Sequence, residues 1–159
     1  MSQDQPAIFV ADALGLDFLN SIATPADSPV DWIGDGDGLL DWLQQAQLVP
    51  DDALKSIRAQ ALPGELDNVA DQARSLREWF RAFVQKHKGA PLTSRDLSAL
   101  GPLNRLLERD ETFSRIEDGS LGPTLQIVRK WRSPETLLLP IGEALARFVC
   151  TEDFSNVKA

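Results

Sequence analysis

A long run of apolar residues at helical spacing, between residues 65 and 88, constrains this fold more than any other feature of the chain. Its members are Leu66, Val69, Ala73, Leu76, Phe80, Phe83 and Val84. Spacings of three and four place them on one side of an α-helix of about six turns. Because a continuous apolar stripe is stable only when other elements cover it, the sequence predicts a core built around this helix.

The flanking segments predict further helices and one β-hairpin. We expect helices near residues 12–22, 38–47, 52–61, 93–107 and 134–149, with Pro102 kinking or splitting the fourth. Alternating residues on both sides of a turn signal at Asp118 and Gly119 predict a hairpin within residues 112–132. An isolated hairpin is marginally stable, so this one must pack on helices or pair with residues 8–10. The expected fold class is α+β and predominantly helical: a single domain of residues 1–159, with a bundle-like helical core around one long helix and a small hairpin sheet.

Composition and motifs exclude several functional classes. No apolar run reaches the roughly 18 residues that a membrane span needs, and the first residues lack the cationic start of a secretory signal. With one cysteine, Cys150, and one histidine, His87, the chain has too few ligands for a structural zinc ion. We expect both side chains to be packed against the protein. A single cysteine without a pairing partner also indicates a cytoplasmic protein. The D-G-D-G run at residues 35–38 lacks the spacing of a calcium loop and is typical of a helix cap. No nucleophile or acid–base set is present, so we expect no enzymatic activity.

The charges of the chain are unevenly distributed. The net charge is −8, and the 54 residues before Lys55 contain ten Asp and no Lys or Arg. Binding of this domain to nucleic acid is therefore not expected, because neutralising phosphates requires a basic surface. The Asp-rich segment either forms solvated turns or docks on the helix that carries Arg74, Arg77 and Arg81.

Residues 14–43 contain the best candidate for a polar site. Asp17 and Asn20, with Ser21 beside them, lie within an apolar helical pattern, where burial is costly without partners. Arg77 lies at the edge of the long apolar stripe and needs a carboxylate. One interpretation is a buried Asp17–Arg77 pair that joins two helices. The other is a pocket in which Arg77 holds a polar or anionic ligand, Asp17 and Asn20 orient it, and Trp42 contributes an apolar wall.

Three motifs in this order resemble the ABATE family of bacterial proteins, which is associated with stress-induced transcription regulation. They are L-D-F-L-N-S at residues 16–21, L-L-D-W-L-x-x-A-x-L at 39–48 and A-R-x-L-R-E-x-x-R at 73–81. Ser21 stands where the family usually has Thr, and Gln47 where it usually has Gly. The resemblance covers nearly the whole chain.

The resemblance implies that this is an N-terminal, effector-sensing domain with a ligand site at Asp17, Asn20, Ser21, Trp42 and Arg77. Family members usually continue into a C-terminal zinc finger ending in C-G-N-R, which would follow residue 159 and is absent from this sequence. Zinc and DNA binding would then belong to that finger. The alternatives are a structural or dimerisation module without a ligand, including a homodimer, and a part of an RNA-binding zinc-finger protein.

Overall fold

The structure is a computed structural model that describes residues 14–23 and 30–157. Within these ranges it is mainly helical with two small antiparallel strand pairs, which confirms the predicted fold class. The helices are α1 (Leu14–Leu19), α2 (Gly36–Gln45), α3 (Asp51–Gln60), α4 (Glu65–His87), α5 (Ser94–Leu97), α6 (Gly101–Leu107) and α7 (Leu138–Thr151). The strands are β1 (Ile22–Ala23), β2 (Val30–Asp31), β3 (Thr112–Gly119) and β4 (Gly122–Arg129), and short 3-10 turns cover Ser98–Leu100, Pro134–Leu137 and Phe154–Asn156.

Helix α4 is the centre of the core, as its apolar stripe predicts. Its buried residues include Val69, Ala70, Ala73, Phe80, Phe83 and Val84. Helices α1, α2 and α7 all pack against it. His87 packs at its end, with its ring centroid 4.5 Å from that of Phe83 and Nδ1 3.4 Å from Asp96 Oδ1.

Helix α1 crosses α7 at very short range. A Cβ atom on Gly15 would lie 2.9 Å from Cβ of Phe148, so only glycine allows this approach. On the other side, α1 also contacts α4. The first helix is therefore held between the central helix and the last one.

Helix α1 ends three residues earlier than the apolar pattern predicts, at Leu19 instead of residue 22. The Ser21 hydroxyl donates to the Phe18 carbonyl oxygen at 2.6 Å, and the Ser21 N–H donates to the same oxygen at 3.1 Å. Serine competes in this way with helical hydrogen bonds and favours a turn. The chain then enters β1, whose residue Ile22 pairs with Asp31 of β2.

Capping and proline residues set the other helix ends. The Asp35 carboxylate accepts from the Gly38 N–H at 2.8 Å, so the D-G-D-G run begins α2 as a helix cap. Thr93 and Asp96 form a capping box at α5. Pro102 lies in the first turn of α6 and splits the predicted 93–107 helix, as expected.

The predicted hairpin is present, and the described helices hold it only at its base. Phe113 and Val128 pair across the strands and are half-buried there, near Pro50 at the start of α3. Pairing with residues 8–10 lies outside the described residues. The apolar side chains of its distal half, Ile116 and Leu125, are exposed.

Cys150 is exposed, so the prediction that it packs as a small apolar residue is wrong. The buried positions of α7 include Ile141, Leu145 and Phe148, and a residue two positions after Phe148 points away from their face. In the described part of the chain, no helix is long and apolar enough to cross a lipid bilayer.

Candidate functional site

Arg77 is the most completely enclosed charged side chain of the candidate site. It lies on the inner side of α4 with its side chain only 3% exposed. Nη1 and Nη2 each donate to one carboxylate oxygen of Asp31 at 2.8 Å, which forms a bidentate pair. Nε donates to Glu78 at 3.1 Å. The guanidinium is thus held by protein acceptors on two sides.

Ser21 completes the contacts of Arg77. Its hydroxyl oxygen accepts from Arg77 Nη1 at 3.0 Å while its proton goes to the Phe18 carbonyl. The Ser21 carbonyl accepts from the Trp32 N–H at 2.9 Å, and this bond brings Asp31 beside Ser21. The end of α1 and strand β2 therefore meet on the same guanidinium.

The ion pair shifts the protonation equilibria of both partners toward the charged forms. Burial raises the pKa of Asp31, but hydrogen bonds from Arg77 and the Ile33 N–H, with the charges of Arg77 and Arg74, hold that pKa below its usual value. Burial lowers the pKa of Arg77, and the bonds and charge of Asp31 reverse this and raise it. Both groups stay charged at neutral pH.

Two more arginines of α4 bind the same N-terminal segment. Arg81 donates to the Leu19 carbonyl at 2.7 Å. Arg74 donates to the carbonyls of Ile33 and Gly34 at 2.8 and 2.9 Å. We call Arg74, Arg77 and Arg81 the arginine face of α4, and residues 14–23 with 30–34 the strap that it holds.

The arginine face explains much of the unequal charge distribution. The strap contains no basic residue, and its carbonyls and the Asp31 carboxylate take cations from α4 instead. Docking of the Asp-rich segment on the arginine-rich helix is therefore confirmed for Asp31. The exposed Asp37 shows the other behaviour, a solvated acid at the start of a helix.

Of the five predicted site residues, the structure joins Ser21 and Arg77 directly, through a hydrogen bond. Asp17 is buried on α1, and the carboxylate bonded to Arg77 is that of Asp31, so a part for Asp17 in the site stays a prediction. The turn at Ser21 brings β2, and with it Asp31, against the guanidinium. Asn20 is exposed at the end of α1.

Trp42 is buried in the apolar core, next to α1. Its ring centroid is 5.7 Å from that of Phe18, in an edge-on arrangement. It therefore packs against α1 and supports it, as expected of a buried aromatic residue.

Asp31 was missed by the sequence reasoning, although its position between the apolar residues Val30 and Trp32 distinguishes it from the other acids of residues 24–38.

A second arginine, with its side chain 11% exposed, holds the base of the hairpin. Arg129 forms a bidentate pair with Asp110, both distances 2.8 Å, and donates to Glu143 of α7 at 2.7 Å. Burial lowers the pKa of Arg129, and the two carboxylates raise it. The bond from Arg129 is the largest influence on Glu143 and lowers the pKa of that carboxyl. The sequence reasoning did not identify this cluster.

Among residues 14–23 and 30–157, no group of three or more His, Cys, Asp and Glu side chains could hold a metal ion. The model of the ABATE family, described as "Putative stress-induced transcription regulator", matches residues 12–152. No curated protein and no solved structure matches the chain. The matched region includes the arginine face, the strap and the hairpin.

Proposed function

Because the chain belongs to the ABATE family, we propose that it is the effector-sensing domain of a transcription regulator. The description of the family supports the regulatory role. The finer proposal is that the domain binds a small polar or anionic molecule and passes the signal to a zinc finger C-terminal to it.

One observation carries the proposal: α1 lies between the arginine face and α7. Ser21, just after α1, bonds to Arg77, and Gly15 within α1 touches Phe148 of α7. Close-packed elements cannot shift independently of one another. A ligand that moves the end of α1 would therefore also move α7, the last long helix before the C-terminus.

The chemistry of Arg77 indicates the class of ligand. A guanidinium that already binds a carboxylate in bidentate geometry suits a carboxylate or phosphate group on a ligand. Such a ligand would take the place of Asp31, and Asn20 at the exposed end of α1 could donate to its polar groups. The ligand would thus exchange one state of the strap for another, which regulation requires.

The proposal assigns zinc and DNA to the finger and none of that chemistry to this domain. A chain with net charge −8 is poorly suited to bind the phosphate backbone of DNA, which needs an extended basic surface. We further propose a non-enzymatic protein of the cytoplasm, a compartment that suits a chain with one unpaired cysteine.

The test compares ligand binding by matched variants. Inorganic phosphate and succinate would be titrated into the wild-type chain and into Asn20→Ala, Asp31→Asn and Asn104→Ala, with calorimetry and thermal denaturation as readouts. Asn104 is exposed on α6 and provides the matched control. We expect Asn20→Ala to keep the wild-type melting temperature and bind the active probe more weakly. Asp31→Asn should bind it more tightly, because its competitor for Arg77 is removed.

Two results would contradict the sensor proposal. One is that neither phosphate nor succinate binds to any of the chains, Asp31→Asn included. The other is equal binding by the Asn20→Ala and Asn104→Ala chains. Either result would favour the alternative of a module that serves association only, for which the exposed hairpin is the specific structural support.

A further inference from the structure

The distal half of the hairpin exposes an apolar stripe. Ile116 of β3 lies opposite Leu125 of β4, and Ile127 follows two residues later on the same face of the sheet. These side chains are 74%, 71% and 79% exposed. An apolar stripe on a two-stranded sheet with so little cover is a feature of interaction surfaces.

The outer edge of β3 has backbone groups that no other described residue of the chain pairs with. The Lys130 N–H donates to the Glu111 carbonyl, so these two residues form a hydrogen-bonded pair between the strands. This pair determines which residues of β3 direct their backbone groups toward β4. By alternation, Ser114, Ile116 and Asp118 direct their N–H and C=O groups away from β4. Within the described residues β3 has no other strand partner. The β4 edge is less suited to pairing, because Pro123 lacks an outward N–H.

We propose that β3 pairs with β3 of a second copy of this chain, antiparallel, with the twofold axis at Ile116. The observation that selects a second copy is charge complementarity along this edge. In this register Arg115 of each copy lies opposite Glu117 of the other, in a pair without hydrogen bonds between the two residues, where side chains are closest. Neither residue forms an ion pair within the described part of its own chain.

Neighbouring registers are disfavoured by the same two charges. The outward backbone groups belong to even-numbered residues, so an even-numbered residue of one copy must pair with an even-numbered residue of the other. The nearest alternative registers therefore pair each residue with the one two positions before or after its partner in the proposed register. A shift in one direction places Arg115 opposite Arg115 of the second copy. A shift in the other direction places Glu117 opposite Glu117 of the second copy. The charges therefore specify one register.

The same register extends the apolar stripe across four strands. The order across the sheet is Leu125 and Ile116 of one copy, then Ile116 and Leu125 of the other. Cross-strand apolar pairs of this kind stabilise sheets. The contact is small compared with a standard interface, so we expect a weak dimer that forms at micromolar or higher concentration. The inference does not depend on the proposed ligand.

The first experiment reverses the charges and measures the dimerisation Kd by sedimentation equilibrium from micromolar to near-millimolar concentration. Glu117→Arg and Arg115→Glu should each weaken the dimer about tenfold, because two cross-strand pairs change from attraction to repulsion. A mixture of these two variants should form heterodimers with a Kd near that of the wild-type homodimer. Circular dichroism would show that both variants keep the wild-type fold.

The second experiment distinguishes edge pairing from face-to-face packing of the apolar stripe. Ile116→Lys should abolish the dimer, whereas Ile127→Lys, the same change on the outer strand, should leave it intact. Equal loss in both variants would overturn the edge arrangement. A wild-type chain that stays monomeric throughout, or a mixture of the charge variants that fails to associate, would overturn the proposal.

Discussion

Replacement of Arg77 by alanine should be among the most destabilising single changes in the strap region. Arg77→Ala removes the two hydrogen bonds and the nearest positive charge from the Asp31 carboxylate, which is only 24% exposed. Removing one partner of a buried pair costs about 3–5 kcal/mol. For a domain of this size each kcal/mol lowers the melting temperature by about 2–4 °C. The expected loss is therefore about 6–20 °C.

The matched control is Arg58→Ala. Arg58 pairs with Asp37 at 3.5 Å, but its side chain is 55% exposed. Exposed ion pairs contribute about 0–1 kcal/mol, so this variant should remain close to the wild type. Urea denaturation at pH 7, followed by circular dichroism, gives the free energy of unfolding of each chain.

A double-mutant cycle with Asp31→Ala separates the ion pair from the packing of the arginine stem. Once Asp31 is absent, Arg77→Ala removes a guanidinium that is itself unpaired with Asp31, so the double variant should lose much less than the sum of the two single losses. Equal free energies of unfolding for Arg77→Ala and Arg58→Ala would refute this reasoning. Additive losses in the cycle would refute it as well, because they would mean that the pair itself is not what stabilises the strap.

Two other predictions follow from charge. Because the pKa of Asp31 is lowered in the folded state, its contribution is present above the ordinary carboxyl pKa of about 3.9 and is lost as the pH falls through the folded value. The difference in unfolding free energy between wild type and Asp31→Asn should thus narrow below about pH 4 in urea titrations; a constant difference from neutral to acidic pH would count against it. The chelator-washed chain should carry no stoichiometric zinc and should bind duplex DNA with a Kd above micromolar at physiological salt. A fusion of the chain to a C-G-N-R finger should bind zinc and should bind DNA more tightly. Submicromolar DNA binding by the chain alone would contradict this assignment.

The sequence predicts the elements whose periodicity is long. The apolar stripe of α4 contains enough residues to identify the helix and its inner face, and the alternation in β3 and β4 identifies the hairpin. Pro102 also acts locally, so the split near residue 101 could be anticipated. In each case the interaction that decides the structure lies within the segment itself.

The details of the strap depend on contacts between distant segments, and sequence reasoning predicts them less well. Ser21 ends α1 through its own hydroxyl, but Arg77 lies 56 residues away. The other two arginines of the face bind backbone carbonyls, which every residue has, so no side-chain pattern marks these acceptors. That Arg77 needs a carboxylate could be inferred; that Asp31 supplies it depends on how β1 and β2 pair.

The pair of Arg77 and Asp31 also sets what an effector must achieve. A ligand changes an equilibrium only by the difference between its affinities for the two states. An anion that took the place of Asp31 would have to match two hydrogen bonds of 2.8 Å each and offset the release of the strap. A monodentate or neutral ligand cannot match that geometry, whereas a carboxylate or phosphate can. If the domain is a sensor, the Arg77–Asp31 pair therefore restricts its ligands to bidentate anions. The exposed Asn20 side chain would then distinguish among those anions by hydrogen bonds to their other polar groups.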